Sequence, residues 1–165
     1  AKLAHSQETF GFAGTILNEG PESMEKAVKE ITGFASYNGT ETGYGFDVCI
    51  EAVGLPSTFQ ACIDCAAFGG KVVLIGVGKK NLDFNFTLIQ KKELNVYGSR
   101  NALKKDFLEL INLVKDGKVD LEKIITDIYP FKDAAKAFED FSTKGGQMLK
   151  VGIDFSDIHM AGETN

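Results

Sequence analysis

The chain has 165 residues, 44% hydrophobic and 25% charged, with a net charge of −5. That is one domain's worth of chain and enough to bury a core. No basic stripe marks it for nucleic acid, and no apolar run approaches the ~20 residues of a membrane span.

The amino terminus, Ala1 to Gln7, carries neither a basic n-region nor an apolar h-region, so it does not read as a signal peptide. It reads as a cut inside a longer protein. Cys49, Cys62 and Cys65 are an odd set of cysteines with no secretory signal before them. This points to reduced thiols and a cytoplasmic location.

Residues 14–18 are short and partly β-branched and predict a strand. Pro21, Glu22 and Ser23 open a helix with Met24, Ala27, Val28 and Ile31 at helical spacing, ended by Thr32-Gly33. Residues 33–45 are rich in Gly, Ser, Thr and Tyr and read as a loop, a long one for a compact α/β unit. Residues 46–53 then form an almost uninterrupted apolar run, stopped at Gly54-Leu55-Pro56. Such a run is the pattern of a parallel strand buried on both faces.

Pro56-Ser57-Thr58 starts a helix that turns Phe59, Cys62, Ile63 and Ala66 inward. Gly69-Gly70 predicts the turn into a second apolar strand, Gly70 to Gly78. Two such strands joined by one helix make a βαβ unit, and ligands of open α/β sheets sit outside the strands' carboxyl ends. That directs attention to Gly54 and to Gly76-Val77-Gly78. Cys62 and Cys65 match C-x-x-C, but at i, i+3 on a helix they read as small core residues.

Residues 79–93 read as a loop with one helical turn, and 93–98 as a third strand ending at Gly98. Leu103, Phe107, Leu110, Ile111 and Val114 mark an amphipathic helix stopped at Asp116-Gly117. A strand follows at 124–129, ended by Pro130. A helix carries Ala134, Ala137, Phe138 and Phe141, and a final strand runs from Met148 to Phe155. The tail, 156–165, reads as disordered.

Six stretches in this order resemble the carboxyl half of the medium-chain dehydrogenase/reductase superfamily, in its zinc-dependent alcohol, polyol and threonine dehydrogenase branch. They are 46–54, 69–78, 92–100, 113–118, Tyr129 to Phe131 with Ala137-Phe138, and 149–155. Together they lie within residues 45–155, about two-thirds of the chain. Residues 92–100 lean toward polyol and sugar-acid dehydrogenases. The G-x-G-x-x-G turn of that family, its ribose-binding acid and its zinc ligands do not occur here.

The resemblance implies an α/β fold: a partial Rossmann-like, doubly wound parallel sheet (strands three to six) plus a short carboxyl-terminal return segment. It divides the chain into a partial dinucleotide-binding domain (1–123), a return segment of the catalytic domain (124–155) and the tail. It implies NAD or NADP as coenzyme and zinc in a missing amino-terminal domain, with no catalytic residue and no metal ligand in this chain. The parent would be an oxidoreductase for a small alcohol, polyol or sugar acid; the chain alone is expected to be inactive.

Carried over by position, Ala52, Val53 and Gly54 would flank the nicotinamide ribose and ring. Ile75, Gly76 and Val77 would accept from the carboxamide. Val96 and Tyr97 would lie on its other side, and Lys150 near the pyrophosphate. Glycines at 54, 76 and 98 would let a ligand approach where a Cβ would clash; the plainer reading is that glycines end strands. Glu51, a charge inside an apolar strand, requires a partner. Arg100 would serve substrate or phosphate, or pair with Asp106.

Without its first two strands the sheet would expose the edge of 46–53. Residues 14–18, another chain or the missing half would cover it, and the strand at 93–98 would join a symmetric mate in a homo-oligomer. The alternative is a non-catalytic dimerisation or small-ligand module with the same fold.

Overall fold

The computed structural model describes residues 2–37, 40–156 and 158. In chain order the elements are α1 (Lys2–Phe10), α2 (Pro21–Thr32), β1 (Ala35–Tyr37), β2 (Thr40–Gly43), β3 (Phe46–Glu51), α3 (Pro56–Cys65), β4 (Ala66–Leu74), α4 (Thr87–Lys91), β5 (Asn95–Gly98), α5 (Lys104–Lys115), β6 (Ile125–Pro130), α6 (Ala134–Lys144) and β7 (Lys150–Asp154). They form two compact units, Ile16–Asn101 and Ala1–Thr15 with Ala102–Asn165.

The first unit is built on a parallel sheet of order β3-β4-β5, with β4 central. Helix α2 starts on Pro21, whose fixed φ suits a first helical position. It stops at Gly33, whose N–H returns to the Lys29 carbonyl. Its Val28 packs with Ile63, Cys65, Ala66, Cys49, Val72 and Leu94 as the buried core. Burying a side chain of Val28's size contributes about 1.5–3 kcal/mol. Along β3, side chains alternate between faces: Cys49 and Glu51 are buried, while Val48 and Ile50 stay exposed. Tyr97 shares a rung with Val73 and Ile50 and is exposed with Ile50 on that open face.

Strand β4 begins at Ala66, straight after α3, rather than at Gly70. The expected diglycine turn is instead an irregularity within the strand. Phe46 pairs with Ala66 but Val48 with Lys71, so the extra residues bulge out around Gly69 and Gly70. Gly69 donates its N–H to the Lys92 carbonyl at 2.7 Å. The strand entry is tight: a Cβ on Gly45 would lie 2.6 Å from the Ala66 carbonyl carbon, and one on Gly70 2.8 Å from the Ala67 oxygen.

The second unit holds a βαβ unit, β6 and β7 in parallel with α6 between them. Asp140 of α6 is buried and accepts from the Tyr129 hydroxyl at 2.9 Å, from Lys144 at 2.8 Å and from Lys136. The rings of Phe131 and Phe155 stack at 4.8 Å, tying the far ends of the strands.

Several expectations are corrected. Residues 14–18 form no strand. Within 33–45, read as a loop, β1 and β2 pair as an antiparallel ladder. The stripe of α5 forms a helix, but Leu103, Phe107, Leu110, Ile111 and Val114 are all exposed. On α6 only Ala137 of the expected stripe is buried, and Phe138 is 75% exposed. The expectation of a disordered tail over 156–165 falls, apart from Ser156 and Ile158, outside the described residues.

Candidate functional site

The parallel register puts Glu51, Leu74 and Gly98 on one rung, the last of the sheet. Ala52, Val53 and Gly54 follow directly after β3, and Ile75, Gly76 and Val77 directly after β4. The Ile75 and Gly76 N–H groups both donate to the Glu51 carbonyl, at 2.8 and 3.0 Å, so the two tips are joined by backbone. Ser99 N–H donates to the Leu74 carbonyl at 2.8 Å and carries the ladder to β5. Tyr97 lies one rung inside the tip and Val96 two.

At the tips, main chain meets main chain. A Cβ on Gly54 would lie 2.6 Å from the Val77 carbonyl, and Gly54 has φ +84°, which a side chain would strain. A Cβ on Gly76 would collide with the Gly54 nitrogen and Glu51 Oε2, and would lie 2.7 Å from the Val53 nitrogen. Beside this contact Val53 and Val77 stand 63% and 79% exposed, large apolar groups left in water.

Glu51 organises the turn. Its Oε1 accepts the Thr58 hydroxyl at 2.6 Å and the N–H groups of Gly54 and Val53 at 2.8 and 2.9 Å. Those bonds, the Thr58 hydroxyl first and the Gly54 N–H next, hold the carboxyl below the usual glutamate range against the opposing effect of burial. Thr58 sits at the third position of α3 and also accepts the Leu55 N–H at 3.3 Å. One carboxylate thus fixes the end of β3, the turn and the start of α3. A cavity of about 260 Å³ opens here, lined by Glu51, Gly54, Phe59, Gly76, Gly78 and Lys80.

The structure brings eight of the nine expected residues to one end of one sheet. Lys150, the ninth, belongs to the other unit, where it is the exposed first residue of β7 and pairs with Ile125. Asp106, weighed as a partner of Arg100, instead caps α5 by accepting the Leu103 N–H at 2.6 Å. Glu51 was flagged by its charge alone; nothing local in the sequence names Thr58 as its partner. The cysteines are held as thiols by burial, Cys49 pushed up to about 12 and Cys62 to about 11. Among the described residues no group of three or more His, Cys, Asp or Glu is placed to hold a metal ion.

Residues 1–116 match the family model described as zinc-binding dehydrogenase. The chain belongs to that family. It is 31% identical to the L-arabinitol 4-dehydrogenase of Hypocrea jecorina over 95% of its own length and 40% of the relative's. It is 36% identical to the D-xylulose reductase of Saccharomyces cerevisiae over 67% of its length and 31% of the relative's. The chain therefore spans about 40% or less of these curated relatives. Among solved structures, a zinc-dependent alcohol dehydrogenase from Streptococcus pneumonia superposes with a TM-score of 0.75 at 24% identity, covering 94% of this chain and 43% of that one. An alcohol dehydrogenase from E. coli solved with NADH gives 0.75 at 24% identity, covering 93% and 42%. These establish a shared fold, the partial Rossmann-like sheet.

Proposed function

We propose that the strand tips form the nicotinamide half of a coenzyme site in a zinc-type, NAD(P)-dependent dehydrogenase acting on a small alcohol, polyol or sugar acid. The observation that carries this is the cavity of about 260 Å³ lined by Gly54, Gly76 and Gly78 at the in-register tips, in a member of the zinc-binding dehydrogenase family. Ligands of open α/β sheets sit outside the carboxyl ends of the strands, where this cavity opens. The polyol and sugar names of the relatives support the substrate class.

The bound coenzyme would take up or deliver hydride at the alcohol carbon. This chain's part is placement. Ala52, Val53 and Gly54 line one side of the ring, where the exposed Val53 would exclude water. Ile75, Gly76 and Val77 offer carbonyls to the carboxamide N–H groups. Val96 and Tyr97 border the opposite side. Glu51 sets the turn that presents Val53 and Gly54.

The described residues do not fit zinc, which we assign to the part of the relatives' length this chain does not span. The return segment at 124–155 would join the catalytic domain there. A homo-oligomer through 93–98 and a cytoplasmic location complete the proposal.

Hydrogen exchange on a protein carrying this chain at the relatives' full length, with and without NADH, tests the site. Protection is expected at 52–54, 75–77 and 96–97. Protection confined to other segments overturns the assignment.

A further inference from the structure

Glu51 uses its two carboxylate oxygens unequally. Oε1 takes the Thr58 hydroxyl at 2.6 Å and the Gly54 and Val53 N–H groups at 2.8 and 2.9 Å. A carboxylate oxygen offers about two lone pairs, so Oε1 is full. The Leu55 N–H, next in the turn, bonds Thr58 Oγ1 at 3.3 Å and is the last of the contacts that hold the carboxyl ionised. Oε2 receives none of the close donors. It lies beside Gly76, in the space that a Cβ there would need.

Glu51 is 4% exposed, and a carboxylate oxygen so buried needs a donor. The space open to Oε2 is the cavity at the strand tips, which Glu51 and Gly76 both line. Of the donors nearby, the Gly54 N–H is spent on Oε1 and the Gly76 N–H on the Glu51 carbonyl. Lys80, on the same wall, forms no ion pair with Glu51 among the described residues. The rest of the lining includes the apolar Phe59, Leu74 and Leu82. At about 260 Å³ the cavity is smaller than most whole-ligand sites and suits one ring of a larger molecule. An ionised carboxylate only accepts, so the group it takes must donate. Lys80 repels a second cation, which leaves a neutral donor such as a hydroxyl.

We infer that Glu51 Oε2 accepts a hydrogen bond from a hydroxyl of the coenzyme's nicotinamide ribose, the sugar that follows the ring flanked by Val53 and Gly54. The inference rests on the coenzyme reading of the tips. It adds a direct contact with the ligand to the turn that Glu51 sets.

The test is calorimetric titration of a protein carrying this chain at the relatives' full length, with NADH and with NADH lacking both hydroxyls of the nicotinamide ribose. The two ligands share the same ring, so a loosened turn weakens both and cancels in the ratio of their dissociation constants. In Glu51→Gln the preference for NADH should fall about five-fold, the step from a charge-assisted to a neutral hydrogen bond. Thr58→Val takes a donor from Oε1 only and should leave the ratio at the parent value. A ratio unchanged in Glu51→Gln, or lowered as far by Thr58→Val, would overturn the contact; the coenzyme reading stands if NADH still protects 52–54 and 75–77 from hydrogen exchange. Protection of the tips by neither ligand would overturn both. If Glu51→Gln does not fold, a crystal structure of the parent with NADH decides. A ribose hydroxyl about 2.7 Å from Oε2 is expected, and a ribose turned away from Oε2 overturns the inference.

Discussion

Gly76 lies so close to the Gly54 amide that a single methyl group on it would collide with the Gly54 nitrogen. The neighbour is backbone, which has no rotamer to change. Gly76→Ala should therefore force the tips of β3 and β4 apart and cost about 1–3 kcal/mol, the usual range for overpacking. A urea midpoint equal to the parent chain's would show that the tips are looser than this.

Replacing Glu51 by Gln removes the charge that holds the Val53 and Gly54 N–H groups and the Thr58 hydroxyl. Amide exchange at Val53 and Gly54 should speed up, while exchange in β4 stays near the parent rate. The folded pKa of Glu51 lies below the ordinary 4.5. Its stabilisation is thus complete above that value and lost as pH falls through the folded pKa. Glu51→Gln should flatten the acid limb of the stability curve; an unchanged limb would remove Glu51 from this role.

Lys92→Met should cost about 1–3 kcal/mol, because it strips the carbonyls of Ile63, Asp64 and Ala66 of their donor in a half-buried place. Lys92→Arg should not restore the loss, since a planar fork cannot set three protons on three converging oxygens. Full recovery by arginine in thermal unfolding would contradict this geometry.

In the other unit, Lys136, Lys144 and the Tyr129 hydroxyl hold the Asp140 carboxyl far below its ordinary 3.8. The depressed pKa gives stability that is complete above 3.8 and fades as pH falls toward the folded value. Asp140→Asn should unfold β6, α6 and β7 at lower denaturant at pH 7, with a smaller difference from the parent at pH 2.5. Equal differences at both pH values would argue against a charged Asp140.

Burial keeps Cys49 and Cys62 as thiols at neutral pH, with pKa values of about 12 and 11. A thiolate-selective reagent at pH 8 should label them slowly in the folded chain and quickly in guanidinium. Fast labelling of Cys49 in the folded chain would mean that β3 opens readily.

The parts legible in the sequence are those whose local pattern and tertiary partner agree. Helix α3 is such a case: Pro56 stands at the first helical position, and Phe59 and Ile63 pack on the core as their spacing says; Ala66, read with them, instead opens β4, and the run of β3, read as buried on both faces, leaves Val48 and Ile50 exposed because one face of the sheet is open. Residues 14–18 have strand composition, but pairing is decided by a neighbour, and none is described there. The exposed stripe of α5 is the reverse: the 3.6 period predicts the helix, and says nothing of what lies opposite it. Helix α1 carries no acidic residue in its first turn and buries nothing, so it has no sequence mark. At the site, the glycines at the tips are visible in the sequence, whereas the Glu51–Thr58 contact and the reach of Lys92 across 26 to 29 residues exist only in three dimensions.

Glycines close the β3–β4 ladder at both ends, Gly45 and Gly70 at the entry and Gly54 and Gly76 at the exit. Sliding one strand past the other by a residue would drive Phe46 or Val53 into a gap that admits no Cβ. The pair therefore has one alignment, enforced twice, and a mispaired ladder would be rejected by collision at either end. Folding of this unit would then proofread its own central pairing before any ligand arrives.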